Sequence, residues 1–254
     1  MARSEAATRQ SPNELGPVEV VGLAPDEVHV WCAFLDQPAL IVRYLTRSLS
    51  PDERARAEGF AFDRDRRRFV VARGALRAIL GRYLDVEPVR LGFTYDARGK
   101  PALAPPWGGE TLRFNVAHSH ELALYALTRE RAVGIDVEYL RPVADLDDLA
   151  GRCFAPGENA VLRRLPAHQR EEAFFACWTR KEAYVKAIGE GLTRPLDAFE
   201  VSLAPGEPAR LLCVRDEPGE ASRWSLHDLR PAPGYVGALA IEGRGVRVRR
   251  RRWP

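Results

Sequence analysis

Gly134-Ile135-Asp136-Val137-Glu138 alternates apolar and acidic residues. The two-residue period of a strand puts Asp136 and Glu138 on one face and Ile135 and Val137 on the other. Such a face is either the wet side of an amphipathic strand or a pair of oxygen ligands. A pair of that kind suits Mg²⁺, which takes one or two carboxylates together with water and a substrate phosphate. Further on, the helical stripe Phe174, Cys177, Trp178, Val185, Ile188 is interrupted in its middle by Lys181 and Glu182. An unpaired buried carboxylate is costly, so Glu182 calls for a metal or a cation beside it. The local alternative is an ion pair with Lys186, one helical turn on.

Only three of the 38 Lys and Arg residues are lysine: Lys100, Lys181 and Lys186. In so arginine-rich a chain, the remaining lysines read as places that need a compact ammonium or a titratable amine. Lys100 sits in the rigid turn Gly99-Lys100-Pro101, and Phe114-Asn115-Val116-Ala117-His118-Ser119-His120 carries two imidazoles.

The elements that must hold these groups follow from periodicity. Residues 1–17 lack any and read as a flexible N-terminal extension. His29 to Leu35, Val89 to Tyr95, Leu122 to Leu127, Ala132 to Tyr139 and Phe199 to Leu203 read as strands. Ser50-Pro51-Asp52-Glu53 opens a helix, with a capping hydroxyl, Pro at the first position and acids in the first turn. Longer helices are predicted from about Asp65 to Leu84 and from Gln169 to Ile188, the second closed by Gly189 and Gly191. Long helix, turn and strand thus occur twice, which predicts an α+β chain of two similar halves, 18–131 and 132–246, each a small antiparallel sheet on a long helix.

At 254 residues, 46 % hydrophobic and 29 % charged, the composition is that of a folded globular protein and excludes a disordered or fibrous one. A net charge of +3 is far below that of a dedicated nucleic-acid binder, so the basic run at 247–254 reads as a solvated C-terminal tail. Cys32, Cys153, Cys177 and Cys213 lack metal-site spacing and fit buried thiols in a reducing cytoplasm. No signal-peptide core or membrane-spanning run is present, which predicts a cytoplasmic protein.

In the order G-K-P (99–101), F-N-x-x-H-S (114–119), G-I-D-V-E (134–138) and W-x-x-K-E-A-Y-x-K-A-x-G-x-G-L (178–192), the chain resembles the 4′-phosphopantetheinyl transferases. The resemblance is to the long, two-halved, surfactin-synthetase-activating type, and it spans roughly residues 28 to 240. It implies a pseudo-twofold fold with coenzyme A bound in a cleft between the halves. The phosphopantetheine arm would pass to a serine of an apo acyl or peptidyl carrier protein, releasing adenosine 3′,5′-bisphosphate. A monomer acting in polyketide or nonribosomal peptide biosynthesis, with no nucleic acid or membrane partner, is the expected setting. A catalytically silent module that binds coenzyme A or the carrier is the alternative.

The same resemblance assigns Asp136, Glu138 and Glu182 to Mg²⁺, and Glu182, or a water it polarises, as the base toward the carrier serine. It places Lys186 at the pyrophosphate as a catalytic cation. Coenzyme A contacts fall on Arg56, Arg68, Lys100, Pro101 and His118 as well as Lys186. Ala117 stands where the family commonly has Ser, so a hydroxyl contact to the nucleotide is expected to be missing. Acidic carriers would meet a basic and apolar surface that includes Arg54, Arg56, Phe60 and Phe62.

Overall fold

The computed structural model describes residues 20–97, 99–108, 111–189 and 194–254. The extension 1–17 and the Gly191-Leu192 end of the last motif lie outside them. The architecture is α+β, with small sheets and helices in two compact units. The first unit contains Gln37–Leu91 and the second Leu23–Asp36 with Gly92–Pro254. These units do not coincide with the sequence halves 18–131 and 132–246, because strands from both sides of residue 131 share one core.

The first unit is built from α1 (Ala39–Thr46), α2 (Pro51–Glu58) and α3 (Asp63–Leu84). The predicted cap of α2 is present: Glu53 accepts a hydrogen bond from the Ser50 N–H at 3.0 Å. The same carboxylate is buried and paired with Arg73 and, at 2.6 Å, with Arg77. Burial pushes its pKa up, but the two guanidinium groups outweigh this and hold the carboxyl below its ordinary range. Arg77 also donates to the carbonyls of Pro88 and Leu91 at 2.9 and 2.8 Å. This is why Val89 and Arg90, expected in a strand, form a short 3₁₀ turn instead.

In the second unit, β1 (Glu27–Phe34), β4 (Arg113–Ser119), β5 (Leu122–Thr128) and β11 (Arg247–Arg252) form a sheet in the order β11-β1-β5-β4. A second sheet has the order β6-β10-β9, with β6 (Val133–Tyr139), β9 (Trp224–Leu229) and β10 (Tyr235–Glu242). Its β6 and β10 pack on α6 (Ala167–Ile188). Two-stranded ribbons β2 (Phe93–Tyr95) with β3 (Pro101–Leu103) and β7 (Phe199–Val201) with β8 (Leu211–Val214), and helices α4 (Leu146–Cys153) and α5 (Pro156–Arg164), complete the unit. No described helix is long and apolar enough to cross a membrane.

Two expectations are corrected. The run at 247–254 is not a solvated tail: β11 pairs in parallel with β1, and the chain is pinned beyond it by Trp253, which is buried and donates its N–H to the Cys32 carbonyl. The arginine heads remain exposed, so the charge is solvated while the backbone is ordered. Of the four free cysteines only Cys177 is buried; Cys213 is exposed, and Cys32 and Cys153 are half-buried.

Candidate active site

The site begins with a close approach of backbone to backbone. A Cβ on Gly134 would lie 2.0 Å from the Ala183 carbonyl oxygen and 2.4 Å from the Ala187 nitrogen, so only glycine lets β6 run against α6. Two residues along β6, Asp136 meets Lys186 on α6, with Oδ1 and Nζ 2.6 Å apart. Asp136 is only 6 % exposed, and its second oxygen, Oδ2, is buried without a hydrogen-bond partner. Burial raises its pKa to about 7; Lys186 pulls it down, and the charges of Glu182 and Glu138 push it up. Glu182 is likewise raised, first by burial and then by Glu138, against the pull of Lys186.

β4 and β6 lie side by side at the meeting of the two sheets, and two side chains stitch them together. Asn115 Oδ1 accepts the Ile135 N–H at 2.8 Å, and Ser119 Oγ accepts the Tyr139 N–H at 3.1 Å. Ser119 Oγ in turn donates to Glu138 at 2.7 Å, which fixes that carboxylate from the neighbouring strand. Arg141 lies 3.7 Å from the same oxygen, in solvent.

Lys100 Nζ donates to the Lys186 carbonyl at 2.6 Å, near the C-terminus of α6, where the helix dipole favours a cation. Gly189 closes that helix in the left-handed conformation, at φ 77°. Burial lowers the pKa of Lys100, and Arg113 and Lys186 add to this against Asp96. Lys100, Pro101, Asn115, Glu182 and Lys186 all line one cavity of about 290 Å³. The arrangement offers cations for a phosphate and carboxylates for a metal or a proton in one place.

Five of the predicted site residues are therefore linked: Asp136, Glu138, Glu182, Lys186 and Lys100. His118 is exposed and projects from the face of β4 opposite Asn115 and Ser119. Arg56 and Arg68 lie in the first unit, where the Arg56 guanidinium stands 5.3 Å from the centre of the Phe69 ring. Among the described residues no group of three or more acids, histidines or cysteines is already gathered to hold a metal.

Lys181 departs from the expectation that surviving lysines mark chemistry. It is fully buried, pairs with Glu158 at 2.8 Å, donates to the carbonyls of Leu196 and Phe199, and sits 4.3 Å from the Phe199 ring centre. It ties α6 to the segment leading into β7 and is structural. Ala117 is buried in the apolar core with Ile135 and Leu239, where its methyl packs. Asn115 and Ser119 stood in the F-N-x-x-H-S motif with no role assigned, and Glu158 escaped the sequence reading. Glu158 carried a local signal, an acid in the first turn of a helix that opens with Pro156.

The 4′-phosphopantetheinyl transferase superfamily model matches residues 132–240, and the model for the N-terminal part of a 4′-phosphopantetheinyl transferase matches residues 39–130. The chain is 47 % identical over 223 residues to the 4′-phosphopantetheinyl transferase HetI of Nostoc sp., covering 88 % of this chain and 91 % of that one. It is 36 % identical to a putative 4′-phosphopantetheinyl transferase of Synechocystis sp., over 78 % of this chain and 77 % of the other. To the 4′-phosphopantetheinyl transferase Sfp of Bacillus subtilis it is 26 % identical, over 61 % and 66 %. The chain belongs to the 4′-phosphopantetheinyl transferase family.

Proposed function

We propose that this protein transfers the 4′-phosphopantetheine group of coenzyme A to a serine of an apo acyl or peptidyl carrier protein. The serine oxygen bonds to the β-phosphorus, the bond from that phosphorus to the bridging oxygen breaks, and adenosine 3′,5′-bisphosphate leaves. The observation that carries this reading is the buried Asp136 carboxylate, held by Lys186 at one oxygen and unpartnered at the other, with Glu182 and Glu138 in electrostatic reach.

An unpartnered buried oxygen among repelling carboxylates fits a divalent cation, so Asp136, Glu138 and Glu182 are the residues that would hold Mg²⁺. When bound, the metal would neutralise charge developing on the pyrophosphate oxygens. The chain's own groups do the rest. Lys186 and Lys100 supply positive charge to the phosphates, as phosphoryl transfer depends on positioning and electrostatics. Glu182, its carboxyl raised by burial, is suited to take the serine proton. Lys100, Pro101 and His118 are assigned to the nucleotide end; Arg56 and Arg68 are assigned to coenzyme A on the resemblance alone. Arg54, Arg56, Phe60 and Phe62 are assigned to the carrier; Phe62 is 69 % exposed, whereas Phe60 packs on Phe69. A cytoplasmic monomer is the form in which it would act.

Incubating the protein with coenzyme A, Mg²⁺ and an apo carrier protein tests this. The carrier should gain the mass of one phosphopantetheine with equimolar nucleotide release. Binding of coenzyme A without any gain would overturn the proposal in favour of a silent binding module.

A further inference from the structure

The two sheets of the second unit leave a seam. The first sheet ends at β11 and the second at β9, and what spans them is a side chain: Arg250 Nη2 donates to the Asp228 carbonyl at 3.1 Å. Between these edges lies a groove of about 240 Å³ with an apolar floor of Val30, Cys32, Leu124 and Leu229. The register puts Val30 beside Arg250 and Cys32 beside Arg252, so both arginine stems flank the floor on one face of the sheet. Arg230 borders the other side and pairs with Glu172.

The charges along β11 are not equivalent. Arg247 and Arg249 are matched by Asp26 and Glu27. Among the described residues, no carboxylate lies within ion-pair distance of Arg250 or Arg252, whose heads are exposed. Arg252 stands 5.5 Å from the Phe34 ring centre, which holds its planar fork in place. On β9, His227 shares the Leu229 face, and its Nε2 is buried without a hydrogen-bond partner. Burial, and then the Arg250 charge, lower its pKa against the pull of Asp228.

We infer that this seam is a binding site for a small anionic amphiphile, a carboxylate bearing a short alkyl chain. The head lies between Arg250 and Arg252, where a guanidinium fork matches a carboxylate, and the chain lies on the apolar floor. The floor takes two same-face residues of β1, about 7 Å of strand, and the cavity is smaller than those that hold drug-sized ligands. A long lipid does not fit it. A bare phosphate leaves the floor unused.

Octanoate, octanol and inorganic phosphate, titrated calorimetrically into the full chain, test the assignment. Octanoate should bind at one site, at least tenfold more tightly than octanol or phosphate. The double variant Arg250→Ala and Arg252→Ala should weaken octanoate at least tenfold while transfer activity stays unchanged. Phosphate binding as tightly as octanoate would reduce the seam to a patch of cations and overturn the inference. So would undiminished octanoate binding by the double variant, or none by the wild type in the low millimolar range.

Discussion

Asp136 carries a stability signature that follows from its burial. Its pKa in the folded chain, about 7, stands above its ordinary value of 3.8. Between those values the folded protein holds a proton that the unfolded chain has released, so this residue's contribution to stability falls as pH rises and levels off above about pH 7. Asp136→Asn removes that slope. Its melting temperature should exceed the wild type's at pH 8, by about 2–4 °C for each kcal/mol regained, and the difference should close toward pH 4. Thermal melts across that range check this; a variant that melts lower than the wild type at pH 8 would contradict it. The alternation of a strand and the interrupted stripe of a helix are local patterns that made Asp136, Glu182 and Lys186 legible as candidates, while a wet strand face and a local ion pair stayed open until the resemblance assigned their roles. Lys181 was misread because its partner, Glu158, comes from a different helix, and only tertiary packing brings the two together.

At the scale of elements, the contact of β6 with α6 is what joins the acids to Lys186. Gly134→Ala would drive a methyl into the Ala183 carbonyl and the Ala187 nitrogen, both backbone atoms that cannot swing aside. Overpacking of this kind costs about 1–3 kcal/mol or more. The variant should melt lower, and phosphopantetheine transfer should fall with it because the Asp136–Lys186 contact opens. A variant with unchanged melting and rate would show that the close approach is not required. The helices α3 and α6 and the strands β5 and β6 were readable from periodicity, and the α2 cap from residue type. β11 was not, because its run of arginines hides the inward face and its partner β1 lies at the other end of the sequence. Nor was the stitching of β4 to β6 by Asn115 and Ser119, since a hydrogen bond across strands leaves no local trace.

For the molecule as a whole, the sequence repeat predicted two halves, whereas contacts group the strands from both sides of residue 131 into one core. Periodicity reports what an element is, and only long-range packing reports which core it joins. The β6 acids meet Lys186 because β6 gives Ile135 and Val137 to that shared core and packs on α6 as well. The central claim is that Asp136 serves a metal and Glu182 a proton. Transfer rates of Asp136→Asn and Glu182→Gln, each followed as Mg²⁺ is raised, test it most directly. Asp136→Asn should regain part of its rate, since a neutral amide oxygen still coordinates weakly. Glu182→Gln should stay about 10²–10⁴-fold below the wild type at every Mg²⁺ concentration, the loss expected for an absent general base. Full recovery of Glu182→Gln at high Mg²⁺ would contradict the account.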